Sequence, residues 1–157
     1  MPLRRPFRRP QIAEPAEPKT LHIRLPEDTA PQRPPRRVLL LEDRDDFRSV
    51  LHEHLVSSSH EVTSVNSGVE GVRSVLKGPF DLIICDMMMP NMGGEMFYWA
   101  VTRIRPAAGQ RFIFFTGHRN NAKIEDFFGR VKANVLYKPF KMSELDNAIG
   151  EVLRKSG

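Results

Sequence analysis

The sequence predicts an α/β protein, a doubly wound (βα)5 parallel sheet covered by helices on both faces. Two observations carry this expectation. Five short strand-like runs lie between Val38 and Lys155, and the central ones are continuously apolar where a half-exposed strand would alternate. Between them lie segments whose apolar residues recur at helical spacing, as covering helices require. Right-handed crossovers then distribute those helices over both faces.

In chain order, VLLLED from Val38 is an apolar strand ending in acids, and DDFRSVLHEHLVSS is its helix, with Phe47, Val50, Leu51, His54 and Leu55 on one stripe. HEVTSV alternates as a second strand, and NSGVEGVRSVLKG opens on a capping residue and closes on Gly78. DLIICD is the third strand, and GGEMFYWAVTRIR is a helix stopped before Pro106. RFIFFTG and NAKIEDFFGR form the fourth pair. ANVLYK and MSELDNAIGEVLRK form the fifth, with Ser143 as the expected cap and Glu144 in the first turn.

Residues 1–37 differ in kind from 38–157. They carry nine Arg and Lys against four acids and nine of the thirteen prolines, whereas residues 38–157 balance fifteen against fifteen. The net charge of +5 therefore belongs to a basic, proline-rich arm or linker, and says nothing about nucleic-acid binding by the domain at 38–157. TLHIRLP, Thr20 to Pro26, reads as a lone strand within that arm. RRPFRRP fits an acidic partner, nucleic acid or weak contact with anionic lipid, and equally a solubilising tail. No apolar h-region follows the arginines and no run approaches the roughly 20 apolar residues of a membrane span, so the cytoplasm is the expected location. Cys85 is the only cysteine, which excludes an internal disulfide or a thiolate cluster.

In an open parallel sheet, the carboxyl ends of the strands converge on one crevice. Here they bring Glu42 and Asp43, Asp86, Thr116 and Lys138. The turn after the first strand is acidic, not glycine-rich, so dinucleotide and P-loop sites are excluded. Three crowded carboxylates repel unless a cation neutralises them, and a hard ion such as Mg2+ suits an all-oxygen set. Beside such an ion, Asp86 is placed to act as a nucleophile toward a phosphoryl group, with Lys138 and Thr116 meeting its oxygens. Gly117 leaves room for the incoming group. Each residue alone has an ordinary structural explanation; their joint placement on successive strand ends does not.

LLLED at 39–43, DMMMPNMGG at 86–94, FFTG at 114–117 and YKPF at 137–140 resemble the receiver domain of two-component response regulators, along the whole of about 38–155. The resemblance implies a flavodoxin-like sheet of order 2-1-3-4-5. It implies phosphorylation of Asp86, with Mg2+ held by Asp43, Asp86 and the Met88 carbonyl and by Glu42 through water. Thr116 and Lys138 would contact the phosphoryl oxygens, and Pro139 would follow a cis bond. The donor would be a phosphohistidine on a sensor histidine kinase or a histidine phosphotransfer protein.

Two positions depart from the family pattern. The switch region pairs Thr116 with Val135, where the family carries an aromatic residue, while Tyr137 sits next to the lysine. Gly93 stands before Gly94, where the family often has aspartate. Met88 and His118 occupy positions that tune water access to the acyl phosphate in similar receivers. Met87, Met88, Met89, Met92 and Met96 are read as packing and surface, since neighbouring side chains diverge. Phe97 and Ala100 are expected inward, with Tyr98 or Trp99 partly exposed; His52, His54 and His60 are read as ordinary helix or strand-edge residues.

No output domain follows the last helix, which points to a single-domain response regulator, acting through contacts with an unknown downstream protein or as a relay or sink, with homodimer formation open. Turnover of external substrates is not expected: aspartyl-phosphate phosphatases place a second acid two residues after the nucleophile, where this chain has Met88. The alternatives are an unphosphorylated scaffold on the same fold, a C-terminal receiver fragment of a hybrid histidine kinase, which TLHIRLP also suggests, and DNA binding through the arm.

Overall fold

The computed structural model describes residues 11–13 and 34–156. The Thr20–Pro26 strand and most of the basic arm lie outside the described residues. Within the unit Pro34–Gly157 the order is β1 (Arg37–Leu41), α1 (Asp45–Ser57), β2 (Glu61–Val65), α2 (Gly68–Lys77), β3 (Leu82–Asp86), α3 (Gly94–Ile104), a short 3-10 helix (Pro106–Arg111), β4 (Phe112–Thr116), α4 (Ala122–Val131), β5 (Asn134–Tyr137) and α5 (Met142–Ser156). The strands form one parallel sheet ordered β2-β1-β3-β4-β5.

Alternation along the three central strands divides the core in two. Val38, Leu40, Leu82, Ile84, Ile113 and Phe115 point to one face and pack with Leu51 and Leu55 of α1 and Leu145, Ile149 and Val152 of α5. Leu39, Leu41, Ile83, Cys85, Phe112 and Phe114 point to the other, against Val75 of α2, Phe97 and Val101 of α3 and Phe127 of α4. That is why these strands read as unbroken apolar runs: both faces are buried. The edge strands β2 and β5 are only half-buried beyond the exposed Glu61, which accounts for the alternation of HEVTSV.

Two of the five α-helices, α2 and α4, start on a side-chain cap. The Ser67 hydroxyl accepts from the Glu70 amide at 3.3 Å, and the Asn121 carboxamide oxygen accepts from Lys123 and Ile124 at 3.1 and 3.2 Å. Ser143 does not cap α5. It lies inside the first turn of α5, whose opening amides of Glu144 and Leu145 point back to the Lys141 carbonyl, so the cap position is Lys141, two residues earlier than serine chemistry suggests.

At Gly71, α2 packs directly against β1 and α3. A Cβ there would lie 2.5 Å from Leu41 Cδ2 and 2.7 Å from Phe97 Cε2, both fully buried side chains. Neither neighbour can yield cheaply. Gly71→Ala is therefore expected to lower stability by about 1–2 kcal/mol, overpacking outweighing the gain in helix propensity, as a reduced urea midpoint.

Candidate functional site

The ladder hydrogen bonds run one residue beyond the strands and fix the site. Glu42 N–H donates to the Val65 carbonyl at 3.2 Å, Met87 N–H to Phe115 at 3.0 Å, and Lys138 N–H to Thr116 at 2.8 Å. Glu42, Asp43, Asp86, Thr116 and Lys138 thus leave the same edge of the sheet on held backbone. The Lys138–Pro139 bond is cis.

Glu42, Asp43 and Asp86 each offer a carboxylate oxygen within 4.8 Å of the other two. Glu42 is fully buried, Asp86 nearly so, and Asp43 half-buried. One oxygen of Asp86 accepts the Met88 amide at 3.0 Å, and the other takes the Lys138 ammonium at 3.2 Å. Glu42 Oε1 accepts the Arg44 amide at 3.0 Å. Its Oε2 is 3.5 Å from the Lys138 ammonium, an ion pair too poorly directed to be a hydrogen bond, so this buried atom has no hydrogen-bond partner.

Burial pushes the Glu42 carboxyl up to about 7, with the Asp86 charge adding to the shift and the Arg44 amide and Lys138 opposing it. An orphaned buried oxygen beside two further carboxylates fits a bound cation: the ion would satisfy Oε2 and hold all three groups ionised. The oxygen-only donor set fits a hard divalent ion, and the residues present can coordinate one.

The other wall differs in character. Thr116 is buried, and its hydroxyl accepts the His118 amide at 3.1 Å. A Cβ on Gly117 would meet nothing within 4 Å, so the mouth above the threonine is open. Val135 is half-buried against the α2–α3–α4 side of the core. Tyr137 sits outside, its hydroxyl donating to Glu125 Oε1 at 2.8 Å and its ring beneath the Arg119 guanidinium at 4.6 Å. The carboxylate acceptor holds the phenol above its ordinary value.

The methionines diverge. Met87 and Met89 are buried, Met88 and Met96 exposed, and Met92 half-buried. Tyr98 packs inward among Phe112, Phe114 and Phe127, leaving Trp99 as the exposed aromatic. Burial raises the Cys85 thiol well above its ordinary value, in keeping with a core filler. His54 pairs with Asp146 of α5 at 2.7 Å and His52 with Ser64, two separate contacts.

Two groups of residues were not foreseen. Arg48, one turn into α1, donates to the Glu42 carbonyl at 2.9 Å and pairs with Asp45, tying the acidic loop to its helix. Phe47, Phe115 and Phe140 gather around Lys138. The signal was a phenylalanine within five residues of each site element: after Asp43, before Thr116 and after Lys138.

Comparison with known proteins agrees with this geometry. The sequence model of the response regulator receiver domain matches residues 38–150. Response regulator receiver protein CpdR of Brucella abortus is 32% identical over 118 residues, covering 75% of this chain and 97% of that protein. Sensor kinase CckA of the same organism is 31% identical over 120 residues, 75% of this chain but only 12% of the kinase. Among solved structures, the chemotaxis protein CheY4 of Vibrio cholerae superposes with a TM-score of 0.69 at 27% identity, covering 76% of this chain and 99% of that one.

Proposed function

The chain belongs to the response regulator receiver domain family, a family of phosphoryl-accepting signalling modules that do not turn over external substrates, and from that premise we propose that Asp86 is its phosphoacceptor. The observation that carries the reading is the Lys138 ammonium, 3.2 Å from Asp86 Oδ2, beside three carboxylates within 4.8 Å of one another.

A carboxylate oxygen of Asp86 forms the new P–O bond as the donor's P–N bond to histidine breaks, and the released imidazole takes its proton from solvent. Lys138 meets the charge on the phosphoryl oxygens. Thr116 exchanges its contact with the His118 amide for a hydrogen bond donated to the same group. Asp43, Asp86 and the Met88 carbonyl, with Glu42 beside them, would hold Mg2+, which would neutralise charge on the transferring group. Met88, with its half-exposed side chain, and exposed His118 stand at the mouth and set how readily water attacks the acyl phosphate.

The donor is a sensor histidine kinase or histidine phosphotransfer protein in the cytoplasm, and output passes through contacts with a downstream protein or a second copy. With Val135 at the switch position, output does not run through an aromatic residue there. The likeness to part of the sensor kinase CckA favours, as a second reading, a receiver acting within a hybrid kinase.

Intact-protein mass after incubation with acetyl phosphate and Mg2+ tests the proposal. A gain of one phosphoryl group, lost with EDTA and mapped to Asp86 by borohydride reduction and peptide sequencing, is expected. An adduct on another residue, or none alongside absent beryllofluoride binding, would overturn it.

A further inference from the structure

The Lys138 ammonium sits 5.0 Å from the ring centroid of Phe47 and 5.0 Å from that of Phe115. The rings brace each other and a third: Phe47 to Phe115 is 5.8 Å at 85°, Phe47 to Phe140 is 6.0 Å at 60°, and Phe115 to Phe140 is 6.1 Å at 61°. These are edge-to-face contacts, the preferred aromatic geometry, and together they form a three-ring wall with few free rotamers. Phe115 is fully buried and paired in register with Asp86, so the wall is anchored to the strand pair that bears the acceptor. On its open side lies a cavity of about 330 Å³ lined by Arg44, Phe47, Lys138, Pro139 and Phe140.

We propose that Phe47 is a positioning residue for phosphorylation, which with Phe115 holds the Lys138 ammonium at Asp86 by cation–π contact. The proposal rests on Asp86 being the acceptor.

A lysine on a flexible four-carbon stem, with a side chain still 25% exposed, has rotamers that would carry its charge into solvent. The carboxylates draw it inward, but phosphorylation changes the charge and position of the group it must meet. Ring faces attract the ammonium whatever the state of Asp86, and they offer no oxygen to compete with the phosphoryl group for its N–H donors. They also keep water from one side of the charge, which strengthens its field at the reacting oxygens. Phe47 is the member open to test. It is half-buried on the first turn of α1, whereas Phe115 lies in the core.

The test pairs Phe47→Leu with Phe47→Tyr, the first removing the π face and the second retaining it, with Phe47→Met as a second apolar replacement. The acetyl phosphate reaction with Mg2+ gives the rate, and carbon–proton NMR of the resting protein gives the Lys138 ε-methylene shift. Leu and Met are expected to slow phosphorylation about three- to tenfold, and Tyr to stay near the parent rate. The methylene protons are expected upfield in the parent and in Tyr, and closer to free lysine in Leu and Met. Equal rates for all forms, equal loss in Leu and Tyr, or an ordinary methylene shift in the parent overturns the proposal. If the parent takes up no phosphoryl group, the assignment of Asp86 fails, while the shift still decides whether the rings hold the lysine.

Discussion

Asp86→Asn is expected to gain no phosphoryl mass under conditions that fully modify the parent, and to unfold at a higher urea concentration in EDTA. The two effects have separate causes. An amide oxygen is not a nucleophile toward phosphorus at neutral pH, so the P–O bond is not made. The fold gains because Asp86 is one of three carboxylates within 4.8 Å, and its charge is repelled by Asp43, and by Glu42 above about pH 7, against a single ammonium at 3.2 Å. The new amide can still accept the Met88 N–H, and its NH2 replaces the oxygen that met Lys138, which leaves that ammonium to Glu42 Oε2 at 3.5 Å. The net gain is about 1–2 kcal/mol. A variant that loses phosphorylation together with stability would mean that Asp86 holds the fold, and that its loss says nothing about chemistry. Retained phosphorylation would move the acceptor elsewhere.

Most of the sheet was legible because both-face burial leaves a plain signature: β1, β3 and β4 are apolar at nearly every position. The strand-end acids were equally legible, since the carboxyl ends of parallel strands share an edge whatever the remaining sequence. Other features depended on three-dimensional neighbours. The 3-10 helix at Pro106–Arg111 interposes a turn where the sequence reads only as a stop at proline. Lys132 closes α4 in the left-handed region at φ 52°, a place where glycine would have been the sequence signal.

The ring wall was invisible for a related reason. Phe47, Phe115 and Phe140 each read as core residues of their own elements, and only the approach of the first turn of α1 to the end of β4 and the turn after Lys138 brings them to one ammonium. Tyr137 shows the same limit: its place beside the lysine was plain, but its partners Arg119 and Glu125 come from the loop and helix of the preceding βα unit.

The Glu42 carboxyl should make stability fall as pH rises in the absence of divalent cations. Its ordinary value is 4.5 and burial pushes it to about 7 in the folded protein. Below 4.5 both states hold the proton and no difference arises. Between 4.5 and about 7 the unfolded chain releases it while the fold keeps it, so the folded state binds more protons and stability declines with pH. Above about 7 both are ionised and the decline stops. A shift of this size corresponds to about 3 kcal/mol across the window. Urea titrations in EDTA at pH 4.5 and pH 7.5 read it directly, and Glu42→Gln should flatten that part of the profile because an amide carries no proton to lose. Mg2+ should raise stability most at the upper end, where Glu42 is ionised and its Oε2 otherwise faces only a poorly directed ammonium at 3.5 Å. An unchanged slope in Glu42→Gln would place the titration on another group and remove the argument that the buried glutamate prepares this site for a cation.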